Sequence, residues 1–340
     1  MSTVLVRNAT EETLPQVMDE VFDLFHPHLR GKKVFIKPNM VAPMAAEKGV
    51  TTHPAVVKAL LDKVLTYTED VTVGDNPMFD DDRRLNDAIM KTGMEAAAGR
   101  HWVNPAKEVE TTSIGSEVVD EVPVARIFRD SDFIIFVPKF KTHLLTGVSG
   151  CIKNVFGVMP GLSKAKMHIR LSHPKMLTQF LVDLYRFISP HLHIVDALVG
   201  MEGNGPSHGE LRRVNKIMAG TNGVEVDAVM AAMMGFAPSR LKFLEMANNL
   251  GLGETDLNKI DIVGDFEVLP HFKPPLTYIT TKVRVELDEE ICTQCGTCEE
   301  VCQAGAMKLD PYPTIDDEKC IYCFCCSEGC PEGALKYYPG

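Results

Sequence analysis

The chain of 340 residues contains no run of about 18 apolar residues, the length a membrane-spanning helix needs. Its first residues, MSTVLVRNATEETL, lack a basic start leading into an apolar core, so an export signal is not expected. Phosphate-binding glycine loops are missing as well. There is no G-x4-G-K-[ST], and no G-x-G-x-x-G opens a helix after the first strand. Nucleotide and dinucleotide binding therefore lack motif support, which weakens a ligase or transferase reading. Positive charge is not in excess: the net charge is −11, and nucleic acid is not an expected partner. Cysteine is almost absent from the first 291 residues, where Cys151 stands alone.

The other nine cysteines crowd into the last fifty residues. Cys292-x2-Cys295-x2-Cys298-x3-Cys302 is followed by Cys320-x2-Cys323-x2-Cys326-x3-Cys330-Pro331. This is the ligand run of bacterial two-cluster ferredoxins written twice, in which the fourth cysteine of each run ligates the other cluster. The expected sets are Cys292, Cys295, Cys298 and Cys330 for one [4Fe-4S] cluster, and Cys320, Cys323, Cys326 and Cys302 for a second. Zinc sites use C-x2-C pairs and disulfides any even count; neither accounts for a double run with x3-C closing each. Gln303 stands where proline usually follows the first run, so that turn is less constrained than the one at Pro331. Cys325 lies off the ligand register and reads as a small buried hydrophobe, with cluster rearrangement as the sharper alternative.

Charge is placed unevenly. Residues 284–340 hold twelve acidic and four basic side chains, so a redox partner with a basic docking face is the expected complement. Reduced thiols of this kind fit a cytoplasmic protein of anaerobic or microaerobic metabolism.

The first 283 residues alternate strands and helices. Apolar runs at Lys33–Lys37, Val71–Gly74, Asp132–Val137, His191–Val195, Asn215–Ala219 and Ile260–Val263 read as strands, with a short one at Leu5 and Val6. Helices are expected over Glu11–Phe25, Pro54–Tyr67 behind a Thr52 or His53 cap, Arg84–Ala98, Pro174–Ile188, Glu225–Phe236 and Ser239–Leu250, the last capped by Ser239. Two short strands are expected within 101–130. The fold class is α/β: a mainly parallel sheet with helices on both faces, plus a small α+β two-cluster ferredoxin-like domain. The domains are placed at 1–265 and 284–340, joined by a proline-bearing connector, 266–283.

Ligands in such sheets bind outside the carboxyl ends of the strands. This chain keeps its polar residues there: Lys37 and Asn39, Asp75 and Asn76, Lys139, Lys141 and His143, Asp196 and Glu202. Singly these could be loop capping groups; together they suggest one cleft. The stretch 139–157 reads as a long loop punctuated by glycines, with Lys139, Lys141, His143, Lys153 and Asn154. Glycines let backbone approach a ligand and lysines neutralise carboxylate or phosphate, so a small anionic substrate is expected; the alternative is a solvated loop. His143 is a candidate proton donor, with Lys141, Lys153 and Asn154 beside it. Lys37, Asn39, Asp75, Asn76, Lys139, Glu202 and Gly203 are candidates for holding a substrate or a further organic cofactor. Cys151 reads as a buried small residue, or as a thiolate favoured by Lys153.

IKPNM at 36–40, TTHP at 51–54, GDNP at 74–77, KFKTH…GCIKNVFG at 139–157 and VDALVGMEGNGP at 195–206 resemble the "domain of unknown function 362" family. Members of that family often end in the same ferredoxin module. The resemblance implies an iron–sulfur protein of anaerobic metabolism and supports the cleft residues, but supplies no substrate. The expected function is an electron-transfer-coupled oxidoreductase, a reductase, acting on a small anion in the α/β cleft. The alternative is a non-catalytic electron carrier or metallocofactor-assembly protein that docks a partner.

Overall fold

A computed structural model describes residues 2–78, 81–280 and 282–340. Its strands in chain order are β1 (Thr3–Asn8), β2 (Val34–Pro38), β3 (Val71–Val73), β4 (Val109–Ser113), β5 (Glu121–Ala125), β6 (Phe133–Val137), β7 (Lys139–His143), β8 (Gly147–Val148), β9 (Leu192–Glu202), β10 (Glu210–Gly220) and β11 (Asp261–Gly264). β4 and β5 form a separate antiparallel hairpin. The others make one sheet of order β11-β1-β10-β9-β6-β2-β3, with β7 on β9 and β8 on β7.

Most neighbours are parallel, including β2 with β3 and β6, and β9 with β6 and β7. The antiparallel pairs are β10 with β1 and β9, and β7 with β8. Both faces are covered. Leu5, Val34 and Ile36 pack with Val17, Val21 and Leu60 on one side, while Val4, Val6 and Phe35 pack with Phe180, Leu184 and Val229 on the other. Burial of both faces is why these strands are continuously apolar rather than alternating.

Several boundaries differ from the sequence expectation. Residues 139–143 are strand, not loop: all five are buried, and pairing with β9 gives their polar side chains fixed partners. The short strands expected at His191–Val195 and Asn215–Ala219 are halves of a long hairpin whose turn begins at Gly203, where φ is +73°. The helix expected over Arg84–Ala98 breaks into Asp82–Lys91 and Met94–Ala98 at Gly93, whose φ of +75° suits glycine. His53, not Thr52, caps the helix Pro54–Leu65, its ring nitrogen accepting the Ala55 amide. Ser239 caps nothing; the helix starts at Lys242 with Leu241 at its cap. A helix at Ser163–Arg170 has no counterpart among the expected elements.

In the C-terminal part, β12 (Val283–Leu287) pairs with β15 (Leu335–Pro339), and β13 (Met307–Leu309) with β14 (Pro313–Ile315). Two short helices, Thr297–Glu300 and Cys325–Glu328, carry Cys298 in the first and Cys325 and Cys326 in the second. This part is seated on the large sheet. Arg84 meets the Glu300 carboxylate with both terminal nitrogens, Leu144 packs with Val283, Phe324 and Tyr337, and Met78 and Ala165 pack with Val301 and Cys325.

Candidate functional site

Lys37 is the next-to-last residue of β2, and Asp75 and Asn76 follow β3. These parallel strands end together, and a cavity of about 60 Å³ opens there. Its walls include Lys37, Asn39, Asp75, Asn76, His143, Lys153 and Asn154, all expected from the sequence, and also Ser149, Lys164, His168 and Glu328, which are not. That volume suits a ligand of only a few non-hydrogen atoms.

The polar wall is held by a buried network. Lys37 Nζ lies 2.8 Å from Asp75 Oδ1 and donates to Asn154 Oδ1 at 3.0 Å. The other Asp75 oxygen accepts the Met40 amide at 2.7 Å. Burial pulls the Lys37 pKa down, while Asp75 pulls it back up. Gly157 closes the wall: a Cβ there would stand 2.6 Å from Lys37 Nζ and 2.7 Å from Asp75 Oδ1. Asn76 donates to the Gly157 carbonyl at 3.0 Å.

Lys153 differs from the other lysines. Its ammonium sits 4.8 Å from the Phe156 ring centroid, and no carboxylate among the described residues reaches salt-bridge distance. Burial lowers its pKa and the Glu328 charge opposes that shift. Burial raises the Glu328 pKa, and Lys153 and Lys141 oppose the rise. His143 Nδ1 accepts the Leu145 amide at 3.1 Å, so the neutral ring carries its proton on Nε2, 3.5 Å from Glu328 Oε1. Burial, then the charges of Lys153 and Lys141, hold the His143 pKa well below the ordinary value. His168, packed against Phe156, is pushed down to about 3 by burial.

Five expected residues, Lys139, Asp196, Lys141, Glu202 and Gly203, do not line this cavity. Lys139 forms a fully buried pair with Asp196 at 2.6 Å, and the Asp196 carboxylate also takes the His53 and Leu198 amides. Lys141 donates to the Val50 carbonyl at 2.6 Å; burial brings its pKa to about 7. Glu202 faces Arg212 at 3.5 Å, and Gly203 sits in the hairpin turn with its amide on the Lys273 carbonyl. Cys151 is buried, its amide and that of Ile152 held by Asp227. Burial and then Asp227 drive its thiol pKa well up, which agrees with the small buried residue expected and disfavours the alternative thiolate.

Among the described residues, no three His, Cys, Asp or Glu side chains converge as a single ion requires. The thiol-bearing residues Cys292, Cys295, Cys298 and Cys330 instead line one cavity together. Burial brings the Cys298 pKa to about 11, and Cys330 and Cys295 are the neighbouring thiols that add to the shift. Burial also raises Cys326, with Cys323, Cys302 and Cys320 and then Cys298 adding to it. Cys302 is thus beside the second run and Cys330 beside the first. Cys325 is buried against Met78, Ala165 and Val301, with Cys323 and Cys326 packed on the same cluster.

The family described as "Domain of unknown function (DUF362)" matches residues 34–232, more than half of the chain and every strand end that builds the cavity. The chain belongs to this family. A 4Fe-4S binding domain matches residues 285–308, so the DUF362 region is joined to an iron–sulfur module. The chain is 26% identical to a thylakoid-associated protein of Synechocystis over 235 residues, 66% of this chain and 70% of that one. Two solved structures resemble it at low TM-scores. The lactate racemase apoprotein of Thermoanaerobacterium thermosaccharolyticum has a TM-score of 0.45 at 12% identity, over 70% of this chain and 58% of that one. A Thermotoga maritima protein has a TM-score of 0.38 at 16% identity, over 72% of this chain and 59% of that one. The chain therefore spans under two thirds of either structure. No described helix is long and apolar enough to cross a membrane.

Proposed function

We propose that this DUF362 protein is an electron-transfer-coupled oxidoreductase that reduces a small anionic substrate in the cavity at the ends of β2 and β3. One observation carries the reading. Cys325 clusters with Met78, Ala165 and Val301, with Cys323 and Cys326 packed against that cluster, and Glu328, on the helix of Cys325 and Cys326, lines the cavity with His143 and Lys153. The second thiol set and the anion cavity thus share a wall.

Cys292, Cys295, Cys298 and Cys330 would hold one [4Fe-4S] cluster, and Cys302, Cys320, Cys323 and Cys326 a second; bound there, they would supply and accept single electrons. Lys153, without a carboxylate partner among the described residues, binds the substrate anion. His143 holds a proton at Nε2 facing the cavity. Phe156, Met40, Met78 and Pro206 exclude water from it. The acidic face of residues 284–340 would meet a basic redox partner. The division into an α/β domain, 1–265, a connector and a ferredoxin-like domain, 284–340, belongs to the same reading, as does a cytoplasmic, anaerobic setting.

Protein reconstituted without oxygen and reduced with dithionite should be reoxidised by small 2-oxo or 2,3-unsaturated carboxylates, followed by its visible absorbance. Lys153→Ala should slow that reoxidation by about tenfold to a hundredfold, the loss of a charge-assisted contact, with iron content unchanged. No reoxidation by any of these acids, or equal rates in the variant, overturns the proposal in favour of plain electron carriage to a protein partner.

A further inference from the structure

Among the described residues, five buried polar atoms in the cavity wall have no hydrogen-bond partner: Asn39 Oδ1, Asn76 Oδ1, Asn154 Nδ2, and the pair His143 Nε2 and Glu328 Oε1, which face each other at 3.5 Å without a bond. Leaving such atoms dry costs about 1–3 kcal/mol each, so their concentration in one small cavity points to a ligand. Their chemical sense is fixed by what the other ends of the same side chains do. Asn154 gives its oxygen to Lys37 Nζ, which leaves its nitrogen as a free donor. Asn76 gives its nitrogen to the Gly157 carbonyl, which leaves its oxygen as a free acceptor. His143 accepts at Nδ1, so Nε2 donates. Asn39 turns its nitrogen to Asn154 Oδ1 at 3.5 Å and leaves an oxygen acceptor.

The cavity therefore presents two kinds of group. Donors are Asn154 Nδ2, His143 Nε2 and the Lys153 ammonium. Acceptors are Asn39 Oδ1, Asn76 Oδ1 and Glu328 Oε1. A simple anion such as acetate offers only acceptors and would leave the second set unpaired.

We infer that the ligand is a small carboxylate that also carries a hydrogen-bond donor, a hydroxyl or amino group, next to the carboxylate. Its carboxylate meets Lys153, Asn154 and His143; a hydroxyl donates its one hydrogen to the Asn39 or the Asn76 oxygen, and an ammonium group donates to both. This rests on the anion cavity proposed above and narrows what it accepts. The ligand is short, because the cavity admits few atoms. For a reductase, such a molecule is the product of adding two electrons and two protons to the corresponding 2-oxo or 2-imino acid. The oxygen or nitrogen gains a proton as the C=O or C=N double bond becomes single, and the former carbonyl carbon gains the hydrogen.

Calorimetric titration of the anaerobically reconstituted full chain with glycolate, glycine and acetate tests this. Glycolate or glycine should bind at least about tenfold tighter than acetate, the worth of satisfying buried acceptors; which of the two leads tells hydroxyl from amino. Asn39→Ala should bring the preferred ligand close to acetate, and Asn76→Ala, which also loosens the Gly157 wall, should do so as a second variant. Lys153→Ala should weaken all binding. Equal affinities for the three ligands, all lost in Lys153→Ala, would overturn the two-sided ligand and leave the anion cavity standing. Binding that is undetectable for all three, or indifferent to Lys153→Ala, would overturn both.

Discussion

On the proposed two-cluster ligation, Cys302→Ala protein reconstituted without oxygen should hold about four irons against about eight expected in the parent, and should lose reoxidation by small carboxylates. Cys302 closes the first cysteine run, so a reading by sequence order would assign its loss to the first cluster. In space it is a neighbour of Cys320 and Cys326, on the side that packs against Met78 and Ala165. Cys330→Ala should also halve the iron, but there the retained set is the one beside the cavity. The contrast separates the two variants by function rather than by iron count. If Cys330→Ala kept no more carboxylate-dependent reoxidation than Cys302→Ala, electron delivery would have to run in series from the far set. If Cys302→Ala kept all its iron, the crossed ligation would be wrong.

Asp196→Ala should destabilise the protein by about 3–5 kcal/mol, because it leaves the Lys139 ammonium buried without its counter-charge. Two backbone amides, those of His53 and Leu198, lose their acceptor as well. The double variant Lys139→Met/Asp196→Leu should recover much of the loss, since an apolar pair of similar size needs no desolvation of charge. Urea unfolding of the single and double variants measures both. A single-variant loss under about 1 kcal/mol would show that water reaches the pair. The pair does not line the cavity; it holds β7 against β9.

That pair shows where sequence reasoning stops. Lys139, Lys141 and His143 alternate along one stretch and look equivalent in a loop. In β7 they are separated by tertiary pairing: Lys139 goes to Asp196, Lys141 to a carbonyl, and only His143 reaches the cavity. Lys37, Asn39, Asp75 and Asn76 are legible because parallel strands deliver their carboxyl-terminal residues to one edge, whatever the details of packing. Lys164 and His168 carry a weaker signal. Their spacing of four puts them on one face of a helix, but the preceding glycines and proline suggest a continuing loop. Glu328 carries no local signal; its place follows from how the C-terminal part seats on the sheet, through contacts such as Arg84 with Glu300. The antiparallel β10 is likewise invisible locally, since one of its two partners, β1, lies at the other end of the α/β part in sequence.

The most direct test is the electron paramagnetic resonance spectrum of the dithionite-reduced protein, recorded with and without saturating glycolate or acetate. Because the second thiol set shares a wall with the anion cavity, a bound carboxylate should shift the spectrum of the parent protein and leave that of Lys153→Ala unchanged. Identical spectra with and without carboxylate in the parent, under conditions where calorimetry shows the site filled, would contradict the account.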